Sequence, residues 1–196
     1  SLHDALPIYG TLNGRRVLIH GGAGAVGTAA TLLARWAGAW VSTTVTNTDQ
    51  AAIAKENGAD MVLDRASGDV ANLVLEATDG LGVDHIVDVA LKSNLATNLA
   101  CLSQGGIISA YATDSATDEL SIPLLQSMIH GCVFRFVYIY NVPDEAKQKA
   151  IKDITSCLLA GKYSPKIGLN FPLENIVAAH EALESHQVIG KVLLHT

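Results

Sequence analysis

The stretch GRRVLIHGGAGAVGTAATLLARWAG, residues 14–38, decides which fold this sequence can adopt. Residues 16–20 form a short apolar run of the kind that makes a buried strand, and residues 22–27 match the pattern G-x-G-x-x-G. Apolar residues then recur at nearly helical spacing from Ala29 to Ala37, which predicts a helix. Strand, glycine turn and helix in this order are the context in which the motif binds a dinucleotide.

Each glycine of the motif has an expected role. Gly22 permits the tight turn, Gly24 lets backbone approach a pyrophosphate, and Gly27 lets the helix pack closely on the strand. The helix N-terminus offers N–H groups and positive partial charge to the phosphates. These residues predict a nucleotide site, and the alternative is an ordinary strand-to-helix turn that is rich in glycine.

Strands and helices are predicted to alternate along the first part of the chain. The predicted strands are residues 16–20, 40–45, 61–63, 85–89 and 107–111. The helices predicted after the first one are residues 48–57, 69–77 and 95–102. This alternation predicts an α/β fold with a parallel sheet covered on both faces, and right-handed crossovers make it a doubly wound Rossmann sheet.

The later part of the chain has a different pattern. A looser stretch, residues 112–126, precedes a sixth predicted strand at 133–140. Two further helices are predicted at 144–159 and 174–184, with a closing strand at 190–195.

Composition excludes several classes of protein. The chain is 49% hydrophobic and 16% charged, which suits a large core with buried strands, and its net charge of −6 argues against nucleic acid or an anionic membrane as partner. No apolar run approaches the roughly 18 residues of a membrane span.

The 3 cysteines lie far apart without a C-x-x-C pair, so we expect core thiols and a cytoplasmic location. No metal-ligand spacing occurs among the 7 histidines, and we predict no metal site.

The end of the second strand bears on the choice of cofactor. An acidic residue there selects NAD, whereas its absence beside a cation suits the 2′-phosphate of NADP. Here Thr46 and Asn47, which can donate hydrogen bonds to phosphate, precede the first acid, Asp49. Arg65, just beyond the third strand, is the candidate cation, unless it is a solvated surface arginine. We therefore expect NADP(H).

Other candidates lie near the carboxyl ends of later strands, where ligands bind in open parallel sheets. Tyr111 ends the fifth strand, and Arg135, Phe136 and Val137 lie in the sixth; these residues either line the nicotinamide or belong to the core. Asp88 ends the fourth strand and is either a catalytic acid or a cap for the next helix.

Several segments together resemble a known family. They are HGGAGAVG after VLI, GAD after the second helix, GVDHIVDV, GGIIS, and the C-terminal FPLENIVAAHEALESHQVIGKVLL. In these the chain resembles the medium-chain dehydrogenase/reductases from about residue 10 to 194, and is most similar to their zinc-independent quinone oxidoreductase (zeta-crystallin-like) branch. The resemblance implies an enzyme, an NADPH-dependent oxidoreductase that transfers hydride to quinones or α,β-unsaturated carbonyls.

The resemblance also implies roles for particular residues on the phosphate side. Ala25 and Val26 fall where family members cradle the pyrophosphate, and Thr46 falls at the 2′-phosphate site. Gln50 stands where the family often has a lysine, and Arg65 occupies a position beside that phosphate and can replace the missing cation.

On the nicotinamide side, Tyr111 and residues 135–137 match cofactor-contacting segments, and His186 matches a contact near the C-terminus. No catalytic residue is assigned, because no Ser-His-Asp, Cys-His or paired-carboxylate arrangement occurs and the hydride chemistry resides in the cofactor.

Three parts are expected along the chain. Residues 1–8 (SLHDALPI) are expected to be a non-native leader, and residues 9–170 a dinucleotide-binding Rossmann domain. Residues 171–196 resemble the C-terminal segment of a GroES-like catalytic domain whose larger, N-terminal part is missing, so the chain is expected to be a fragment. No cysteine stands before Arg16, which favours the zinc-free branch.

Two other functions remain open. One is another reductase of the same superfamily, such as an enoyl-thioester reductase or a zinc alcohol dehydrogenase. The other is a non-catalytic NADPH-binding protein with a sensor or structural role. Because the sixth strand is expected at the sheet edge, a homodimer of the full-length protein is predicted there.

Overall fold

The structure is a computed structural model that describes residues 12–66, 68–185, 188 and 190–196. The predicted leader at 1–8 and the candidate contact His186 lie outside the described residues. Within the described ranges, no helix is long and apolar enough to cross a membrane.

Six parallel strands form the main sheet, in the order β3-β2-β1-β4-β5-β6. The strands are β1 (Arg16–Ile19), β2 (Trp40–Val45), β3 (Met61–Asp64), β4 (Val83–Asp88), β5 (Leu102–Ala110) and β6 (Val133–Phe136). This is the strand order of the doubly wound dinucleotide-binding fold, so the predicted α/β Rossmann class is confirmed. The order reverses between β1 and β4, and ligands of such sheets bind at the carboxyl ends of the strands beside that reversal.

Helices cover both faces of the sheet. They are α1 (Ala25–Trp36), α2 (Thr48–Glu56), α3 (Val70–Ala77), α4 (Leu91–Cys101), α5 (Leu124–His130) and α6 (Asp144–Leu159). Neighbouring residues of β1 point to opposite faces, because side chains alternate along a strand. Leu18 packs in the cluster that contains apolar residues of α3 and α4, and Val17 and Ile19 in the cluster that contains those of α1 and Cys157 of α6.

Three predicted boundaries were wrong by four or five residues. Strand β6 ends at Phe136 instead of residue 140, and a 3₁₀ turn, Ile139–Asn141, follows it. Strand β5 starts five residues early, at Leu102 instead of residue 107, and continues through Gly105, whose φ is 70°. Helix α4 starts at Leu91 instead of residue 95, where the Asp88 carboxylate accepts the N–H of the preceding residue. Polar and glycine residues near the starts of β5 and α4 obscured the period of these two elements, whereas the apolar residues 137–140 extended the predicted β6 beyond its end.

A separate two-stranded parallel sheet, β7 (Ile167–Pro172) and β8 (Lys191–His195), forms the C-terminal part. A 3₁₀ turn, Leu173–Asn175, and helix α7 (Ile176–Glu184) connect the two strands. Strand β7 was not predicted, because glycine, asparagine and proline interrupt its apolar pattern. It begins before the predicted domain boundary at residue 170, which therefore falls inside a strand.

An ion pair at the amino ends of β1 and β4 is expected to stabilise the sheet at the edge remote from the glycine turn. Asp84 accepts hydrogen bonds from the backbone N of Arg16 (2.8 Å) and from its Nε (3.1 Å) and Nη2 (3.0 Å). Burial raises the pKa of Asp84, but the hydrogen bonds and charge of Arg16 outweigh burial and hold the pKa below 3.8. The carboxylate therefore stabilises the fold above pH 3.8, and its contribution is lost as the pH falls through the folded-state pKa.

We expect Asp84→Asn to lower the free energy of unfolding at neutral pH by about 2 kcal/mol, the value typical of hydrogen bonds to a charged group. Urea denaturation of the variant and of the wild type measures this difference. Glu56→Gln, at an exposed carboxylate on α2, is the matched control and should change stability by less than about 0.5 kcal/mol. An equal loss in both variants would contradict a specific role for the ion pair.

Candidate cofactor-binding site

The glycine turn follows β1 at the centre of the sheet. Gly21 has a left-handed φ of 72°, and its carbonyl accepts the N–H of Gly24 at 3.0 Å. The N–H of Gly22 donates to the carbonyl of Thr44 on β2 at 3.0 Å. The residue whose backbone requires glycine for the turn is therefore Gly21, one position before the one predicted.

Gly22 and Gly27 are needed for close packing. A Cβ at Gly22 would collide with the side chain of Thr43, and a Cβ at Gly27 would collide with the carbonyl oxygen of Gly21. Helix α1 thus touches the turn through Gly27, as predicted, while Gly22 lets the turn lie against β2.

The N-terminus of α1 is suited to an anion. Gly24 is the N-cap residue of this 12-residue helix, no side chain caps it, and the first turn carries no acid. Gly24 and Ala25 are exposed and Val26 is half-buried, whereas Gly27 is buried. The backbone N–H groups of this first turn are therefore open to a phosphate, and the helix dipole favours negative charge there.

The two candidates for the 2′-phosphate lie side by side. Val45 of β2 pairs with Asp64 of β3, so the next residues, Thr46 and Arg65, occupy neighbouring strand ends, and both are exposed. The positive charge of Arg65 contributes to lowering the pKa of His20, at the end of β1, after the larger effect of burial. Arg65 thus lies at the ligand-binding edge of the sheet, where its positive charge is open to an anion.

Gln50 accepts hydrogen bonds from both donors of Thr46. Its Oε1 accepts both the backbone N–H and the hydroxyl of Thr46, each at 3.0 Å. Asn47 is the N-cap of α2, and its Oδ1 accepts the backbone N–H of Gln50 at 2.9 Å. The acceptor oxygen of Asn47 thus caps the helix, and a phosphate would need the donor end of that amide.

The nicotinamide-side candidates also come together at strand ends. Ala110 of β5 pairs with Phe136 of β6, and the N–H of Val137 donates to the Ala110 carbonyl at 2.8 Å. Because β6 ends at Phe136, residues 135–137 lie at its carboxyl end and not in its middle. Tyr111, directly after β5, is half-buried against the α1 side of the sheet; burial, with the charge of Asp88, raises its pKa to about 12.

A cavity of about 230 Å³ opens beside these strand ends. Its walls include Ala90 and Leu91 after β4, Ala110 and Ala112 around the end of β5, and Phe136 of β6. The mouth carries Lys92, which forms an ion pair with Asp118 at 2.8 Å. The lining also includes Thr113, Asp114, Ser115 and Glu119, so the cavity combines an apolar part with a charged one.

Asp88 lies under the site and is completely buried. Its carboxylate accepts hydrogen bonds from the N–H of Ala90 (2.7 Å), from the side chain of Asn94 (3.0 Å) and from that of Asn98. Of the two roles open for Asp88, this arrangement fits the structural one, since a group with no exposed surface touches no substrate.

Sequence reasoning missed the polar residues that surround Asp88. His20, Thr44 and Asn98 are all buried and form a continuous hydrogen-bonded chain with it. The available signal was the polar residue type at positions whose neighbours are apolar, as at His20 after Val17-Leu18-Ile19.

Two of the three cysteines occupy core positions, and Cys132 is half-buried. Cys101 and Cys157 are fully buried, and burial raises the pKa of the Cys101 thiol to about 12. Over the described ranges, no group of three or more His, Cys, Asp or Glu side chains could hold a metal ion.

Comparison with known proteins agrees with this geometry. The sequence profile of the zinc-binding dehydrogenases matches residues 25–156, which is more than half of the chain. The chain belongs to this family. This family is part of the medium-chain dehydrogenase/reductase superfamily, so the resemblance is confirmed.

Among similar curated proteins are two reductases. The chain is 29% identical over 185 residues to a 2-haloacrylate reductase of a Burkholderia species, covering 92% of this chain and 55% of that protein. It is 29% identical over 182 residues to the quinone oxidoreductase of Sus scrofa, covering 92% of this chain and 54% of that protein. The chain thus spans about half the length of these curated relatives.

Solved structures of this family superpose closely. The crystal structure of a 2-haloacrylate reductase gives a TM-score of 0.85 at 26% identity, over 97% of this chain and 61% of that one. A mycobacterial protein solved in complex with NADPH gives 0.80 at 25% identity, over 100% of this chain and 62% of that one.

Proposed function

We propose that this chain is the cofactor-binding part of an NADPH-dependent oxidoreductase that transfers hydride to quinones or α,β-unsaturated carbonyls. The observation that carries the proposal is the open N-terminus of α1 behind the Gly21–Gly24 hydrogen bond, at the centre of a 3-2-1-4-5-6 sheet. Similarity to a quinone oxidoreductase and to a 2-haloacrylate reductase supports the substrate class, because quinones and haloacrylates both contain electron-poor C=C bonds.

The pyrophosphate would be held by backbone. Ala25 and Val26 would present N–H groups to it, and Gly24, whose own N–H donates to the Gly21 carbonyl, would let it approach the backbone. Gly22 and Gly27 keep the turn close to β2 and α1. The bound cofactor supplies the hydride, and the protein orients it and excludes water around the reacting carbon. We assign no catalytic residue and no metal to this part of the protein.

The adenosine side would distinguish NADPH from NADH. The exposed hydroxyl of Thr46, the amide of Asn47 and the guanidinium of Arg65 can each donate to a 2′-phosphate. A phosphate oxygen at Thr46 would replace the Gln50 Oε1, which now accepts both Thr46 donors.

We expect Gln50→Lys to tighten NADPH binding by about tenfold, because it frees the Thr46 donors and adds a charge-assisted bond to the phosphate. NADH binding should stay within about twofold of wild type, since NADH lacks this phosphate. Fluorescence titration with each cofactor measures both. Ala52→Lys, at an exposed site on the same helix, controls for net charge, and an equal gain there would contradict the local phosphate site.

The nicotinamide would lie toward the cavity beside β4, β5 and β6. Tyr111, Arg135, Phe136 and Val137 are at that edge, and the apolar walls of the cavity suit a planar ring. The assignment of His186 as a further cofactor contact rests on the resemblance alone.

The C-terminal sheet is proposed to belong to the substrate-binding domain. Strands β7 and β8 pair with each other and not with the six-stranded sheet. Apolar side chains on this sheet are exposed; they include Ile167, Leu169, Leu193 and Leu194. A GroES-like partner domain would cover such a surface.

We further propose that two copies pair through the β6 edge. Strand β6 ends the sheet, and Leu125, Met128 and Ile129 of the adjacent α5 are each more than half exposed. Light scattering of the chain should give twice the monomer mass, and Leu125→Glu should give the monomer. A monomeric wild type would contradict the proposal.

The proposed function as a whole is tested by titrating the chain with NADPH and NADH, and by assaying a quinone and an enone once the chain is joined to the catalytic domain of a relative. Tight binding with NADPH preferred, followed by reduction of either substrate, is the expected result. A folded chain that binds neither cofactor would overturn the proposal.

A further inference from the structure

A buried hydrogen-bonded chain connects the glycine turn to the start of α4. Thr44 Oγ1 lies 3.2 Å from His20 Nδ1, and His20 Nε2 lies 2.8 Å from Asn98 Oδ1. Asn98 Nδ2 donates to Asp88 Oδ2, and Asp88 Oδ1 accepts the N–H of Ala90. Among these side chains none is more than 2% exposed.

The direction of each bond follows from the carboxylate at the end. Asp88 only accepts, so Asn98 turns its NH₂ to Asp88 and its carbonyl oxygen to His20. His20 Nε2 must therefore carry the proton, which leaves Nδ1 of the neutral ring as an acceptor for the Thr44 hydroxyl proton. The chain of donors runs from Thr44 through His20 and Asn98 to Asp88.

Thr44 holds the turn from two sides. Its Oγ1 accepts the N–H of Gly21 at 3.2 Å, and its carbonyl accepts the N–H of Gly22 at 3.0 Å. The Gly21 carbonyl in turn accepts the N–H of Gly24. The orientation of Gly21 therefore sets where the first N–H groups of α1 point.

We propose that His20 is a positioning residue: its neutral ring fixes Thr44 Oγ1 as the acceptor for Gly21, and protonation of the ring loosens the turn and weakens cofactor binding. This inference rests on the proposed function, because it assumes that the turn binds the cofactor. In the imidazolium both ring nitrogens donate. Thr44 Oγ1 would then face two N–H donors, and its own proton would have to turn away from the ring.

The surrounding charges favour the neutral ring. Burial lowers the pKa of His20 below 6.5; the Asp88 carboxylate, 4.0 Å away, and the bond to Asn98 oppose this effect, and the charge of Arg65 adds to it. Helix α4 contributes the neutral Asn94 and Asn98 to this region, and Tyr111 after β5 is a neutral phenol at these pH values. Protonation is thus expected below pH 6.5.

The cofactor-free chain allows a direct test by NMR. We expect His20 to show the Nε2–H tautomer at neutral pH, and the Gly21 amide resonance to move with the same midpoint as the His20 ring. Thr44→Ser, which keeps the hydroxyl, should preserve this coupling, and Thr44→Val should abolish it. The Nδ1–H tautomer, or a Gly21 amide that does not respond when His20 titrates, would overturn the inference.

Binding measurements test the consequence for the cofactor. NADH is the probe, because the 2′-phosphate of NADPH itself titrates near about pH 6. Wild-type affinity should fall by about tenfold as the pH is lowered from about 8 through the midpoint at which NMR shows the His20 ring to titrate, the effect of one weakened hydrogen bond. His20→Gln, which can still donate to Asn98, should bind about tenfold more weakly at pH 8 and show no such decline.

A matched variant separates positioning from stability. His85→Gln removes another buried histidine, whose Nε2 lies 3.0 Å from Ser109 Oγ within the sheet. It should lower the melting temperature yet keep the pH dependence of NADH binding. The same pH dependence in His20→Gln would overturn the inference, whereas a folded wild type that binds no cofactor would overturn the proposed function and leave the NMR test to judge the role of His20.

Discussion

Gly24→Ala is expected to weaken NADPH binding by on the order of 100-fold or more while leaving the chain folded. The nearest atom to a Cβ at Gly24 would be the Gly21 carbonyl oxygen at 3.3 Å, and the φ of −70° at this residue is ordinary for alanine. The methyl group would instead occupy the space in front of the α1 N-terminus. Two lost hydrogen bonds to a charged phosphate, each worth about 1.5 kcal/mol or more, account for this loss of affinity.

The measurement pairs a cofactor titration with urea denaturation of the same variant. The free energy of unfolding should fall by only about 0.5–1 kcal/mol, the cost of alanine at an N-cap. Gly27→Ala is the informative contrast, because its Cβ collides with backbone that cannot move aside, so stability and binding should fall together. Wild-type affinity in Gly24→Ala would place the pyrophosphate elsewhere.

The fold could be predicted because the alternation of strands and helices is visible in short, local segments of the sequence. Each strand of the main sheet contains apolar or β-branched residues and is followed along the chain by a helix. Helices that cover both sides leave a parallel sheet as the consistent arrangement. Boundaries were wrong where tertiary contacts override local pattern. Strand β5 continues through Gly105 because it pairs with β4, and α4 begins early because Asp88 accepts the N–H at its start.

Some parts of the candidate site could be predicted from the sequence and others could not. The glycine turn consists of consecutive residues, so its position followed from the sequence, but the residue with positive φ proved to be Gly21. The chain from His20 to Asp88 joins residues up to 78 positions apart, and no local pattern reports such a pairing. The Gln50–Thr46 contact is local, yet its meaning depends on where a phosphate would sit.

The glycine turn is hydrogen-bonded to buried polar groups on its inner side, and on its outer side the N-terminus of α1 is open to an anion. Parallel sheets bury both faces, so a polar side chain at a strand end needs an internal partner or a ligand. Thr44 and His20 find internal partners, whereas Thr46 and Arg65 reach the exposed edge. The same edge of the sheet therefore contains buried polar residues that stabilise the turn and exposed polar residues that are available to a ligand.

Asp88→Ala is expected to lower the free energy of unfolding by about 4 kcal/mol, the largest loss of stability that we predict. The substitution leaves three donors without their acceptor: the buried amides of Asn94 and Asn98 and the partly buried N–H of Ala90. Each such orphaned group costs about 1–3 kcal/mol, and the total approaches the whole stability of many domains. Urea denaturation, or the absence of folded protein, measures the effect.

Asp88→Asn separates the acceptor role from a catalytic one. The amide keeps one acceptor oxygen for Ala90 and Asn94 but turns an NH₂ toward that of Asn98, so we expect an intermediate loss of about 2 kcal/mol. Asp118→Asn, at a surface carboxylate that also accepts three hydrogen bonds, should cost much less, because water replaces its partners. If Asp88 were the catalytic acid instead, Asp88→Asn joined to a catalytic domain would keep wild-type stability and cofactor affinity and lose only the reduction step.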